Sequence, residues 1–342
     1  MGSQPLLTIA IPTFNRALYL EQTLSQLQKE ISKCSIKNVE IVVSDNSSPD
    51  DTEKVVNLAV SLGLPIRYIK NIENIGSDAN IAQCFNQANG KYVLILGDDD
   101  LFVDGGLPDL LEHLFLEQYG VVCLKSYGFD ADFRGENPGE FGRNKIYKNA
   151  GAFLSSIGAL MTLISGCVIN KSLLSDLDAN DYCGENLVQV HLVIQAACKG
   201  KNNLFIDRYL MACKRNNSGG YDFAKVFVEN VGKILDSYVG NGLSKKDVLA
   251  VERKFILSYF PFYLMKQRFY DQGDIATVYK RFSSRYEGRY IFYFWLYPIL
   301  KAPRWIAVIW GAFTTLVGRI LNGDLVRGIA FVTSKMKTWN IR

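Results

Sequence analysis

Three consecutive carboxylates, Asp98, Asp99 and Asp100, follow the apolar run Tyr92–Leu96 in LILGDDDLF. Acids crowded this closely repel one another, and placing them beside a buried strand is costly unless a cation or hydrogen bonds compensate. Hard divalent cations such as Mg²⁺ or Mn²⁺ take oxygen ligands, and Mg²⁺ typically combines about one or two carboxylates with substrate phosphates. The chemistry this suits is departure of a diphosphate whose developing charge a metal neutralises. Capping of the helix after Leu101 by solvated acids is the plainer use of the same residues. Polar groups also follow two other apolar runs: Thr13, Asn15 and Arg16 after Leu6–Ile11, and Asp45 after Val39–Ser44. Any one of these could be turn chemistry alone. Three of them on the carboxyl ends of neighbouring strands describe a ligand rim.

No GxGxxG or GxxxxGK[ST] occurs, which speaks against dinucleotide-binding and P-loop chemistry. Phosphate would here be held through metal rather than by a glycine cradle. The seven cysteines stand singly, with no CxxC pair, which fits a reducing compartment better than a disulfide framework or a zinc site. The N-terminal MGSQPLLTIAIPTFNR has no charged leader followed by an apolar stretch and a small-residue cleavage site, so no secretion signal is expected.

The elements that must position these groups can be read from hydrophobic period. Leu6–Ile11, Val39–Ser44, Ile66–Ile69, Tyr92–Leu96 and Val121–Leu124 have strand length and strand composition. Helical spacing separates them, at Leu20–Ile31, Asp51–Leu62, Asp78–Ala88 and Leu107–Leu116. Such alternation predicts an α/β fold with a mostly parallel sheet and helices on both faces. Residues 126–150 are Gly-rich and aperiodic, which reads as a surface loop. A helix is expected near Ala152–Leu163, then a strand in ISGCVIN, an apolar helix over Asn186–Ala197 and an extended run over Asn203–Met211. Lys225–Lys280 turns helical.

The motifs TIAIPTFNR, VVSDNSSPDDT, NIENIGSDANIAQC and GDDD, in this order and spacing over roughly residues 6–215, resemble glycosyltransferase family 2. The resemblance implies the GT-A fold, a Rossmann-like sheet flanked by helices, and an inverting transfer from a nucleoside diphosphate sugar. It implies that Pro12, Thr13, Asn15 and Arg16 line the nucleotide pocket, that Asp45 holds the base, and that Asn74, Gly76 and Asn80 lie beside the nucleotide. Asp98 would contact ribose or diphosphate and share the metal, Asp100 would be the principal metal ligand, and Asp99 would serve either as a donor contact or as a solvated middle acid. Family members usually carry a Glu–Asp pair after a segment like SGCVINKS, whereas this chain has Glu185–Asn186. Inversion needs a base for the acceptor's proton. Glu185 is the first candidate, Asp181 the second and His191 the third, although His191 on LVQVHLVIQAA also suits a packed helix residue. His113 suits a surface role. CKRNNSGGY resembles the segment that closes over the donor, where Lys214 or Arg215 would neutralise diphosphate and Gly219–Gly220 would permit motion. Within the family, GDDDLF and SGCVI…ENLVQVHL are most similar to bacterial abequosyltransferase-like enzymes of O-antigen assembly. That implies a CDP-linked 3,6-dideoxyhexose and an undecaprenyl-diphosphate-linked oligosaccharide acceptor, with no nucleic-acid partner.

On this reading residues 1–222 form the nucleotide-sugar domain, 223–284 a helical region, and 285–342 an aromatic, basic tail. All four tryptophans lie in the tail, as do nine Lys/Arg against two acids. The net charge of +4 thus divides into +7 for the tail and −3 for the rest. The apolar runs YIFYFWLYPIL and WIAVIWGAFTTLV fall short of the ~20 residues of a spanning helix. Trp, Tyr and Lys/Arg together mark a membrane interface with anionic lipid. A peripheral enzyme at the cytoplasmic face of a bacterial inner membrane is therefore expected. Core packing or an oligomer contact is the plainer reading of the tail. Two rivals are a non-catalytic membrane scaffold on a degenerate transferase fold, for which the missing Asp beside Glu185 speaks, and a nucleotidyltransferase, which would want a phosphate-gripping loop not found here.

Overall fold

The computed structural model describes residues 4–35, 38–139, 142–215 and 220–323. They divide into two compact units, the first comprising the described residues within 1–153 and 160–218, the second those within 154–159 and 219–342.

The first unit is built on one sheet. Strands β1 (Leu7–Thr13), β2 (Val39–Asp45), β3 (Ile66–Lys70) and β4 (Tyr92–Ile95) alternate with helices α1 (Ala17–Lys33), α2 (Thr52–Ser61) and α3 (Ser77–Gln87). These strands pair in parallel in the order β3-β2-β1-β4. The rest follow as β5 (Leu101–Phe102), α4 (Gly106–Leu116), β6 (Val121–Phe129), β7 (Lys145–Tyr147), α5 (Ala150–Ile157), β8 (Cys167–Asn170), α6 (Val188–Lys199) and β9 (Asn203–Lys214). The sheet continues β4-β8-β6-β9-β5, with β8 antiparallel to both neighbours and β6 parallel to β9. Leu7, Ile9, Ile11, Ile41, Val43, Tyr92 and Leu94 are fully buried, each aliphatic side chain contributing about 1.5–3 kcal/mol.

Register explains why polar groups meet. Thr13 pairs with Asp45 and Ala10 with Ile95, so β1, β2 and β4 end on one edge. The loop after β2 also caps α1: Ser48 Oγ accepts from Asn15 N and Asp50 Oδ2 from Ala17 N, each at 2.8 Å. Buried Glu30 of α1 does the same for α4, accepting from Gly105 N at 3.0 Å and Leu107 N at 3.3 Å. Orphan amides at helix starts are thus satisfied from neighbouring elements.

The segment 126–150 departs from the expected loop at both ends. β6 runs on to Phe129 because β9 offers a parallel partner as far as Phe129↔Lys214, across register shifts that keep the pairing. β7 adds to the other edge of β9. Both pairings are long-range and leave no local period to read.

The second unit is helical: α7 (Val231–Ser237), α8 (Lys245–Lys254), α9 (Phe260–Tyr270), α10 (Ile275–Tyr286), α11 (Tyr290–Trp295), α12 (Tyr297–Lys301) and α13 (Arg304–Leu321), with wider π turns at Lys225–Asn230 and Phe255–Tyr259. Ser244 and Asp247 form a capping box on α8, and Asp274 caps α10. Phe255, Phe260, Phe282 and Phe292 are fully buried. Buried Glu252 holds Arg285 and Arg289, each at 2.7 Å.

α13 corrects the expectation that no apolar segment of the tail is long enough to span. Its 18 residues carry past Gly318 and Arg319, with mean hydropathy 1.3, long and apolar enough to cross a membrane by length and composition. Its buried row is Ala307, Gly311, Thr314 and Gly318, small residues that let the helix seat closely on Met265 and Leu257. Its large residues face out, with Trp305, Ile309 and Leu321 exposed by 67%, 63% and 65%. Arg327 and Trp339 lie outside the described residues.

Candidate active site

A cleft of about 390 Å³ opens at the carboxyl edge of β1, β2 and β4. Pro12, Thr13, Phe14 and Arg16 form one wall, and Gly97, Asp98, Asp99 and Ile164 another. Asn46, Asn74, Ser77, Asn80 and Ile81 complete it.

Arg16 forks between two acids. Its Nη1 reaches Asp98 Oδ1 and its Nη2 reaches Asp99 Oδ2, each at 2.9 Å. Asp98 Oδ2 also accepts from Thr13 Oγ1 at 2.8 Å. Burial nevertheless pushes Asp98 up to about 6, against the opposing pull of Arg16 and Thr13. Asp100 is more enclosed: Oδ2 accepts from Ser165 Oγ at 2.5 Å and Oδ1 from the Lys214 amide at 3.1 Å. Burial first, then the charge of Asp99, pushes it up to about 7. Ionised, the three acids carry two more charges than Arg16 can balance. Asp98 and Asp99 reach the cleft, whereas Asp100 is turned inward behind them.

Among the described residues no three His, Cys, Asp or Glu side chains converge as a closed metal cage. What is present is a pair of hard oxygen donors at a cleft wall, under-neutralised by one guanidinium. That donor set fits Mg²⁺ or Mn²⁺ of the kind completed by substrate phosphate and water.

The nucleotide-side residues form a linked floor. Asn46 Nδ2 donates to Asn74 Oδ1 at 2.8 Å and to Gly76 O at 3.3 Å, while Asn46 Oδ1 accepts from Ile75 N at 2.9 Å. Ser44 Oγ donates to Asn80 Oδ1 at 2.6 Å, and Asn80 Nδ2 donates to Ser44 O at 3.0 Å. Gly76, at φ +87°, starts α3 in a conformation that a side chain would strain. Asp45 lies beneath this floor, fully buried, accepting from Ser48 N at 2.9 Å and Tyr68 Oη at 2.5 Å. Asn15 takes φ +54° and gives its amide to Ser48, so it shapes the loop between Thr13 and Arg16.

Of the three base candidates, Glu185 and His191 are brought together. His191 Nε2 lies 3.2 Å from Glu185 Oε2, and the ring stacks on Tyr182 at 4.4 Å. Burial lowers the His191 pKa despite Glu185, so the ring is neutral near pH 7. Asp181 sits exposed on the short turn Ala179–Tyr182. His113 lies on α4, its Nε2 3.0 Å from Asn144 Nδ2.

Lys214 and Arg215 direct their charges elsewhere. Lys214 Nζ donates to Asp130 O, and Arg215 Nη1 pairs with Asp130 at 3.0 Å and Glu136 at 2.8 Å. Gly219 lies outside the described residues. Asn46, Ser77, Ile81, Ile164, Ser165 and Asp78 were not among the expected site residues. Asn46, Ser77, Asp78 and Ile81 stand within the motifs already quoted, and Ile164 and Ser165 open the quoted ISGCVIN, although nothing local to that segment shows that it approaches Gly97 and Asp100.

This geometry has counterparts. The model of the family Glycosyl transferase family 2 matches residues 8–178, half of the chain, and the chain belongs to that family of glycosyltransferases. Abequosyltransferase RfbV of Salmonella typhimurium is 27% identical over 226 residues, 62% of this chain and 67% of that protein. A GalNAc(5)-diNAcBac-PP-undecaprenol beta-1,3-glucosyltransferase of Campylobacter jejuni is 36% identical over 110 residues, spanning 32% of this chain and only 34% of its own length. Among solved structures, S. aureus TarS 1–349 in complex with UDP-GlcNAc superposes with TM-score 0.63 at 16% identity, covering 92% of this chain and 91% of that one. The Pyrobaculum calidifontis mannosyltransferase PcManGT, in complex with GDP-Man and Mn²⁺, gives 0.55 at 15% identity, covering 98% and 88%. These likenesses establish the GT-A-like α/β fold with its helical C-terminal region.

Proposed function

We propose that the protein is an inverting, divalent-metal-dependent transferase that moves a hexose or deoxyhexose from a nucleoside diphosphate sugar to a hydroxyl of a lipid-linked oligosaccharide. The observation that carries this reading is the single cleft where Thr13, Arg16, Asp98 and Asp99 meet the Asn46–Asn74–Asn80 floor. Its acid wall suits the diphosphate end of a donor and its amide floor the nucleoside end. Asp98 and Asp99 would hold Mg²⁺ or Mn²⁺, which would supply charge neutralisation to the departing diphosphate. Asp100 would join them only by giving up Ser165 or the Lys214 amide. Glu185 takes the acceptor hydroxyl's proton as that oxygen bonds to the anomeric carbon and the bond to the donor phosphate breaks. His191 holds the accepting carboxylate.

Similarity to RfbV favours a CDP-linked 3,6-dideoxyhexose such as abequose, and the Campylobacter relative's undecaprenol-linked acceptor favours an undecaprenyl-diphosphate oligosaccharide here. The outward apolar face of α13, flanked by Lys301, Arg304 and Arg319, supports work at an anionic lipid surface on the cytoplasmic side of a bacterial inner membrane. The test is thermal stabilisation and transfer across CDP-, UDP-, GDP- and dTDP-sugars, with Mn²⁺ or with EDTA. One class of donor should stabilise the protein in a metal-dependent way and support transfer. Equal transfer in excess EDTA would remove the metal from the account.

A further inference from the structure

We infer, on the reading that Glu185 is the proton acceptor, that Asp78 is a positioning residue locking the Glu185 loop onto the helix that walls the donor cleft. The amides on either side of Glu185, Gly184 N and Asn186 N, both donate to Asp78 Oδ2 at 2.8 Å. These two residues take φ +114° and +58°, left-handed backbone that persists where surroundings over-determine it. A Cβ on Gly184 would meet nothing within 4 Å, so the loop's conformation there is imposed by hydrogen bonds and not by crowding. Asn186, where the family usually has Asp, suits its position because Asn enters the left-handed region more readily than most residues.

Asp78 stands in the first turn of α3, where the helix dipole favours an acid. Ser77 and Ile81, four residues apart on that helix, line the cleft together with Asn80. The same turn therefore walls the donor and grips the loop of the base. At its other end Glu185 meets His191, which stacks on Tyr182, whose hydroxyl accepts from Gln195 Nε2 at 2.7 Å. Asp78 thus fixes the Glu185 backbone, and His191 fixes its carboxylate. The second oxygen, Asp78 Oδ1, is buried without a hydrogen-bond partner among the described residues. Asparagine at 78 could therefore keep an oxygen on both amides and place its NH₂ at that unused position.

The experiment is a double-mutant cycle with Asp78→Ala and Glu185→Gln, with Asp78→Asn beside it, measuring kcat and donor KM. Displacement of a base by about 1 Å can cost on the order of 100-fold. Asp78→Ala should lower kcat about 10- to 100-fold with donor KM within about threefold, and Asp78→Asn should recover most of the loss. In the Glu185→Gln background Asp78→Ala should cost less than about threefold, because coupled residues are not additive. An equal loss in both backgrounds, or a loss carried by KM, would overturn the positioning role while leaving the base intact. Near wild-type turnover by Glu185→Gln would instead remove the base, and the inference with it. Should Asp78→Ala fail to fold, Asp78→Ser, whose single hydroxyl cannot replace the carboxylate, takes its place in the same cycle with the same expectations.

Discussion

Replacing Asp100 by Asn separates the roles of the acid triad. Ser165 Oγ accepts from Gly97 N at 2.9 Å, so its own proton is directed to Asp100 Oδ2, and the Lys214 amide donates to Oδ1. Asparagine offers one acceptor where two are needed. With its NH₂ toward Lys214, two donors face each other; with it toward Ser165, the serine proton loses its acceptor. Either way one buried donor goes unmatched, at about 1–3 kcal/mol. A domain of roughly 150–250 residues loses about 2–4 °C of melting temperature per kcal/mol, so the drop should be on the order of 2–12 °C. Asp99→Asn, at the cleft wall, weakens a pair with Arg16 that is less enclosed than the contacts of Asp100, and should cost less. Calorimetry in EDTA at pH 8, above the value of about 7 to which burial raises Asp100, compares the two variants without any contribution from metal. A melting temperature for Asp100→Asn within 1 °C of wild type, or a larger drop for Asp99→Asn, would refute this reasoning.

Three further outcomes are expected. Asp98 and Asp100, raised by burial to about 6 and about 7, bind protons more tightly folded than unfolded, so their contribution is present below about pH 4 and lost as pH rises through 6 to 7. Mn²⁺ should therefore raise the melting temperature more at pH 8 than at pH 5, and an equal rise at both would contradict the assignment. A Cβ at Gly318 would lie 2.3 Å from Leu257 O, so Gly318→Ala should unseat α13 and destabilise the protein by about 1–3 kcal/mol, seen as earlier proteolysis within the helical unit. Ile309→Asp, on the outward face, should leave the melting temperature unchanged and weaken sedimentation with anionic vesicles roughly 10- to 150-fold, the loss of about 1.5–3 kcal/mol of apolar burial. Unchanged sedimentation would assign that face to another partner.

The rim was legible because it follows from a simple rule. Strand ends in a parallel sheet are level, so Thr13, Arg16 and Asp98 could be placed together before any coordinates. Their internal arrangement was not legible. Asp100 is turned inward by Ser165, which approaches from residue 165 across a long gap in sequence. Asp45 is buried by Tyr68, and Lys214 and Arg215 are claimed by Asp130 and Glu136. Each of these depends on a partner that no local period announces. The same holds for β7 and the end of β6, which exist because β9 pairs with them. In α13 the apolar count stopped at Val317, because Gly318 and Arg319 interrupt hydropathy without interrupting a helix.

The most direct test of the transferase account is a single comparison of wild type with Glu185→Gln, using the donor nucleotide sugar found by screening and a polyprenyl-diphosphate oligosaccharide, with Mn²⁺ present. Wild type should form the glycosylated lipid with inverted anomeric configuration. Glu185→Gln should bind donor with unchanged affinity and turn over at least about 100-fold more slowly, the range of a lost general base. Retained configuration in the product, or near wild-type turnover by Glu185→Gln, would contradict the account.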